Sequence, residues 1–174
     1  MYQGKLVRLR AFDNSDLMYT LSINNDYDVM RTASAGILYP TTVEDQARFM
    51  SNQTSYSAGD YQFAVERLDN GRFIGQCGLM QVNWKNRRAE MGIMLDKDAI
   101  GQGYGTDAVA TLCKFAFNEM NLHKLKAVVF DFNTAAIRCY EKCGFQMEGQ
   151  LKDEVFREGK YHSAYVMALI NTEG

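Results

Sequence analysis

Ile100-Gly101-Gln102-Gly103-Tyr104-Gly105-Thr106-Asp107-Ala108 is the stretch on which the reading of the whole chain turns. Three glycines at alternate positions run straight into an amphipathic segment, so a flexible turn opens onto a helix whose first backbone N–H groups have no intrahelical partner. Such a turn is an anion cradle. Gly101, Gly103 and Gly105 let the main chain come close to a phosphate, and the free N–H groups with the helix dipole supply the attraction. The following helix reads from Val109, Leu112, Cys113, Ala116, Phe117 and Met120, which recur at three- and four-residue steps, with Lys114, Asn118 and Glu119 left outside. A Walker loop would need a lysine after its last glycine, and a dinucleotide fingerprint would read Gly-x-Gly-x-x-Gly. Neither pattern is present.

The remainder of the chain narrows the class. Its 174 residues suit one domain over residues 1–174, and a net charge of −2 gives no footprint for nucleic acid or an anionic membrane. No apolar run approaches the ~18 residues of a membrane span, and no basic-then-apolar leader is seen, so a soluble cytoplasmic protein is expected. Cys77, Cys113, Cys139 and Cys143 fall at apolar positions without Cys-x-x-Cys spacing, and His123 and His162 have no companion at ligand spacing. Reduced thiols and no metal are therefore expected.

Residues 4–12 alternate as a first strand, with Val7 and Leu9 facing one way and Leu6, Arg8 and Arg10 the other. Asp13 is an N-cap for a helix to about Asn24 with Leu17, Leu21 and Met18 inward; Thr42-x-x-Asp45 is a capping box for a helix to about Asn52. Residues 33–39 before Pro40 read as irregular. Strands follow at Tyr61 to Val65, Phe73 to Val82 and Arg88 to Leu95, with Asp69-Asn70-Gly71 as a hairpin turn. After the glycine loop and its helix, Leu125 to Phe130 is a strand that a crossover would place parallel to the last one. Asn133 to Cys143 is a second helix, stopped by Gly144, and two strands near Phe145 to Gln150 and Tyr161 to Ile170 close the chain. The order implies an α/β fold with a mixed sheet.

Three segments together resemble the GNAT superfamily of acyl-CoA-dependent N-acyltransferases: strand Ala89-Glu90-Met91-Gly92-Ile93-Met94-Leu95, loop Gly101 to Thr106, and Asn133-x-x-Ala136-x-x-x-Tyr140-Glu141-Lys142-x-Gly144-Phe145. The tail from Glu148 to Tyr161 is similar to the branch holding ribosomal-protein N-terminal acetyltransferases and spermidine N-acetyltransferases. Ile100 departs from the Gln or Arg that the family often carries there, and Ser163 stands where this branch often has Asp. The resemblance implies a mostly antiparallel sheet of about seven strands, a splayed parallel pair at its centre and helices on both faces. It also implies acetyl-CoA as the acetyl donor, with no metal.

On that resemblance, main-chain groups of Ile93, Met94 and Leu95 beside the splay would bond the pantetheine arm as an added strand does. The diphosphate would sit on Ile100, Gly101, Gln102, Gly103, Tyr104, Gly105 and Thr106, with Asn133, Ala136, Tyr140 and Lys142 completing the cofactor set. Tyr140 is the candidate general acid for the departing thiolate, one turn beyond Ala136 and two beyond Asn133. Glu90 is the candidate general base, since an alkyl amine with a pKa near ~10 must lose a proton before it attacks. Glu90 reads equally as a structural partner for Arg87 or Arg88, and Asn133 also as a plain N-cap. The expected activity is direct acetylation of a primary amine on a peptide N-terminus or a small molecule. Two alternatives stay open: a polyamine (spermidine or spermine) acetyltransferase, and a catalytically silent acyl-CoA sensor. The loop from Thr32 to Thr42, expected over the acceptor, contains no acid, although Asp26, Asp28, Glu44, Asp45, Asp153 and Glu154 have the chance to converge in space. The ten methionines either line an adaptable pocket or fill core gaps. Tyr2, Tyr27, Tyr39, Trp84 and Tyr104 are candidates for a substrate groove or a contact in a homodimer or higher homo-oligomer.

Overall fold

In the computed structural model, which describes residues 1–53 and 59–173, the alternation of the first residues is realised in β1 (Tyr2–Gln3) and β2 (Val7–Arg10). Val7 and Leu9 are fully buried. The opposite face of β2 is charged and occupied: Arg8 and Arg10 both reach Glu66, and Arg10 grips both carboxylate oxygens of Asp16 at 2.8 and 2.9 Å. That grip decides how α1 (Leu17–Asn24) lies. Asp13 and Asp16 form a capping box around a 3-10 turn (Asn14–Asp16), and Asp16, Thr20 and Ile23 form the buried stripe, leaving Met18 61% exposed. The expectation that Met18 faces inward is thus incorrect, while Leu17 and Leu21 are half-buried beside the stripe, because apolar residues lie all round this helix and the Arg10–Asp16 pair selects its orientation.

A short helix unseen in the sequence, α2 (Tyr27–Ala33), follows with Asp26 as its N-cap. Then comes α3 (Val43–Gln53), opened as expected by Thr42, whose hydroxyl receives the Asp45 N–H at 3.1 Å. The sheet continues through β3 (Tyr61–Arg67), β4 (Phe73–Asn83) and β5 (Arg88–Leu95). Beyond the glycine loop come α4 (Tyr104–Asn118), β6 (Lys124–Phe130), α5 (Thr134–Lys142), β7 (Gln146–Arg157) and β8 (Lys160–Ile170). The sheet has eight strands, not about seven, in the order β1-β2-β3-β4-β5-β6-β8-β7; the extra one is the two-residue β1. Among the described residues only β5 and β6 are parallel neighbours.

Strand alternation sorts the helices onto the two faces. Val65, Ile74, Cys77, Leu79 and Met91 pack against Val109, Leu112, Cys113 and Ala116 of α4, with Ala136, Ile137 and Cys139 of α5 beside them. The other face carries Ile23 of α1 and Val29 of α2 against Ala64, Phe73 and Met94. α4 is also anchored by its own first turn. The Asp107 carboxylate accepts the backbone N–H groups of Lys5, Leu6 and Val7 at 3.0, 2.7 and 3.0 Å, fixing the glycine loop relative to the sheet.

Candidate active site

β5 and β6 pair for only three rungs, Arg88 with Lys124, Ala89 with Leu125 and Glu90 with Lys126. From Met91 onward β5 pairs with β4 alone, and from Ala127 onward β6 pairs with β8 alone. The sheet therefore opens in its middle, with unpaired main-chain groups facing the gap. Two cavities, of about 770 and 330 Å³, meet at this opening and share Ile93, Met94, Asn133 and Ala136 in their walls.

The smaller cavity holds the glycine loop. Gly101 (φ +79°) and Gly103 (φ +87°) occupy the left-handed region that favours glycine, and the space a Cβ of Gly101 would enter is open. Gly103 caps α4 without a side chain, so the N–H groups of its first turn point out toward the cavity. Leu95, Ile100, Gly105 and Thr106 line it too, as does Lys142. The side chains of Gln102 and Tyr104 turn elsewhere, the Gln102 amide donating to the Asp98 carbonyl at 2.6 Å and the Tyr104 ring lying under the Arg67 guanidinium, which leaves their main-chain groups for the nest. Sequence reasoning missed Arg138 and Cys139, which α5 adds to the same wall. An open nest of N–H groups flanked by Lys142 and Arg138 suits a diphosphate, and the gap beside Ile93 and Leu95 suits an extended amide-bearing arm.

α5 presents Asn133, Ala136 and Tyr140 together to the larger cavity. Asn133 is an N-cap, its side-chain oxygen accepting from the Ala136 N–H at 3.2 Å; its amide N–H₂ has no partner among the described residues. The Tyr140 ring is 4% exposed and packs on Phe145. Burial pushes its phenol well above the usual tyrosine range, so the hydroxyl is a proton holder at neutral pH. Glu90 sits at the last rung of the parallel pairing, opposite Met80 and Lys126, and is absent from the cavity wall, which begins at Met91 and Gly92. It forms no ion pair with Arg87 or Arg88 among the described residues; Arg87 is turned to Asn121 instead.

The larger cavity's outer wall is the segment expected over the acceptor. Ser34, Ile37, Leu38, Tyr39, Pro40 and Thr41 all line it. Arg157, 7% exposed at the end of β7, pins this loop by donating to the Ser34 carbonyl at 2.6 Å and the Gly36 carbonyl at 3.4 Å. Glu158 at the hairpin tip binds Arg31 and the Tyr27 hydroxyl. Of the six acids that the sequence allowed to converge, only Asp26 lines the cavity, and Lys97 holds it at 2.9 Å. Asp60 is the other acid there. Met30, Met80, Met91 and Met94 line the pocket as well, whereas Met50 and Met167 are buried, so the methionines divide between pocket lining and core filling. Ser163 and Asp131 pair through their backbones, with the Asp131 carboxylate accepting the Ser163 N–H at 3.1 Å. Among the described residues no group of His, Cys, Asp or Glu is arranged to hold a metal ion, and no helix is long and apolar enough to cross a membrane.

A parallel pair that opens onto a glycine nest is the arrangement the family resemblance implies, and a family model for the acetyltransferase (GNAT) domain matches residues 7–146. The chain belongs to the GNAT acetyltransferase family. It is an enzyme that draws its acetyl group from acetyl-CoA. This acetyltransferase is 30% identical to the spermidine N(1)-acetyltransferase of Escherichia coli over 94% of its own length and 85% of the relative's. It is 28% identical to the Vibrio cholerae spermidine N(1)-acetyltransferase over 95% and 93% of the two chains. A crystal structure of the Vibrio cholerae spermidine N-acetyltransferase in complex with CoA and spermine superposes with a TM-score of 0.86, at 26% identity and 96% coverage of both chains.

Proposed function

We propose that this enzyme acetylates a primary amine on a peptide N-terminus or a small molecule with an uncharged backbone, in preference to a polyamine. The observation that carries this reading is the lining of the larger cavity. Its acids are Asp26, already neutralised by Lys97, and Asp60, whereas its other polar side chains are neutral amides and hydroxyls such as Asn24, Gln62, Gln76, Thr32 and Ser34. An extended polycation needs several free carboxylates, and a single amine followed by amide groups needs hydrogen bonds and apolar contact.

The residues have complementary tasks. When bound, acetyl-CoA supplies an acetyl group activated as a thioester. The nest from Gly101 to Thr106, with Lys142 and Arg138, holds the diphosphate, and the unpaired edge at Ile93 to Leu95 together with the free Asn133 amide aligns the arm. The methionine-lined wall disfavours an ammonium ion and so lowers the amine's pKa. Glu90 takes up the released proton through water, because it is not among the residues that line the cavity. Tyr140 donates its proton to the departing sulfur. The enzyme works in the cytoplasm, where its four free thiols persist, as a homodimer or higher homo-oligomer.

The second reading, spermidine as acceptor, is favoured by the substrate named for both relatives. Steady-state kinetics with N-terminal peptides, small monoamines and spermidine, run side by side at low and moderate salt, decide between them. Higher kcat/KM for the peptide or monoamine supports the proposal. A spermidine preference that fades as salt rises would overturn it, since salt screens carboxylate attraction.

A further inference from the structure

Under the diphosphate nest lie two thiols that acetyl transfer does not use. Cys139 Sγ is 3.8 Å from the Thr106 hydroxyl, and Cys143 Sγ donates to the Thr106 carbonyl at 3.4 Å. Cys139 is half-buried and lines the nest cavity, while Cys77 and Cys113 are buried in the core. The two outer cysteines stand four residues apart at the end of α5, where helical geometry sets their Cα atoms about 6 Å apart, inside the roughly 4.4–6.8 Å a disulfide spans, but their Cβ atoms about 5–6 Å apart, beyond its roughly 3.5–4.5 Å, so bridging them must distort this last turn.

We propose that Cys139 and Cys143 form a redox-sensitive dithiol whose oxidation by a hydroperoxide closes the cofactor nest. The Cys139 thiolate attacks the terminal peroxide oxygen; the S–O bond forms as the O–O bond breaks, giving a sulfenic acid, and the departing alkoxide, or hydroxide where the oxidant is hydrogen peroxide, takes a proton from solvent to leave as alcohol or water. The Cys143 sulfur then attacks that sulfenic sulfur; the S–S bond forms, and the hydroxyl leaves as water with the Cys143 proton. Two electrons pass from the two thiols to the peroxide. Three surrounding groups favour the first step: the Cys143 thiol, in hydrogen-bond contact, the Thr106 hydroxyl and the Lys142 ammonium all hold the Cys139 thiol below its ordinary range. Burial pushes the Cys77 and Cys113 thiols up, leaving them unreactive. Oxidation consumes the proton that Cys143 gives to the Thr106 carbonyl and draws both sulfurs together under the first turn of α4. Thr106 loses its support, and the nest loses its shape.

This inference rests on the nest being the diphosphate site. The test is hydrogen peroxide treatment of the full-length protein, followed by peptide mapping and CoA titration calorimetry. A Cys139–Cys143 disulfide with Cys77 and Cys113 still reduced, a CoA Kd raised about tenfold or more, and recovery of affinity with dithiothreitol support the proposal. Cys143→Ser should trap Cys139 as a sulfenic acid that dimedone labels, and CoA should slow iodoacetamide labelling of Cys139 in the reduced wild type. Absence of the disulfide in a protein that binds CoA, or a disulfide with unchanged CoA affinity, would overturn it. Failure of the nest reading itself shows separately, as unchanged CoA affinity in reduced, folded Gly103→Val.

Discussion

Tyr140 combines a ring locked in the core with a hydroxyl at the cavity wall, and its removal isolates one proton. Tyr140→Phe keeps the packing on Phe145 and deletes only the donor, so kcat should fall about 10²-fold or more while CoA Kd stays close to wild type. Near-normal turnover would take the acid's role away from Tyr140. The sign of its pKa shift adds a pH expectation. A phenol pushed upward by burial stays protonated past the usual tyrosine value, so the wild-type rate should show no loss from Tyr140 ionisation up to about pH 10. Glu90 is tested by Glu90→Gln, which should displace the rising limb of the pH–rate profile if the carboxylate accepts protons through water. An unmoved limb assigns Glu90 to the sheet rung it occupies beside Lys126.

The glycine loop and the hairpin-to-loop clamp are the elements that set the two ends of the site. At Gly103 a valine meets two penalties. Its φ of +87° is an outlier for a β-branched residue, and its Cβ would stand 3.4 Å from Leu6 Cδ1. Relief by rotating the loop withdraws the N–H groups, and CoA Kd should rise about tenfold, equivalent to the roughly 1–2 kcal/mol cost of a left-handed non-glycine residue. Calorimetry on the folded variant reads this directly. At the other end, Arg157→Gln removes the guanidinium that pins the Ser34 and Gly36 carbonyls. Charge-assisted hydrogen bonds are worth about 1.5–3 kcal/mol each, so the amine KM should rise on the order of tenfold with CoA affinity retained; an unchanged KM would show that the loop holds its position without the clamp. These two elements differ in how far the sequence announced them. Glycine spacing, strand alternation and the α4 stripe are local patterns, and they located the nest, the strands and the crossover. The clamp depends on residues more than 120 positions apart, α2 buries little beyond Val29, and Asp107 reads as an ordinary first-turn acid until Lys5, Leu6 and Val7 arrive to meet it. That Glu90 falls outside the cavity lining was equally hidden, since a strand residue's face is legible but the rung at which the sheet opens is not.

Across the whole molecule, the three-rung contact between β5 and β6 is the seam at which the sheet opens between two long strands. The half from β1 to β5 and the half formed by β6, β8 and β7 are held together by those rungs, by α4 and α5 on one face and by the Arg157 and Glu158 contacts to the loop and α2 on the other. Amide groups of residues 91–95 that face the gap have no strand partner on that side, so they should exchange hydrogen faster than their counterparts facing β4. A CoA arm laid along the gap supplies the missing partners and couples the halves, and because it binds only the folded state it must raise stability by mass action. At about 100 times Kd the gain is about 2.7 kcal/mol, and for a chain of this size each kcal/mol moves Tm by roughly 2–4 °C. Thermal unfolding with saturating CoA should therefore shift upward by about 5–10 °C, and the slowed exchange should centre on residues 91–95 and the nest. A Tm gain without protection at the seam would place the arm elsewhere on the protein, because mass action alone raises Tm wherever a ligand binds, whereas only a ligand in the gap can shield those amides.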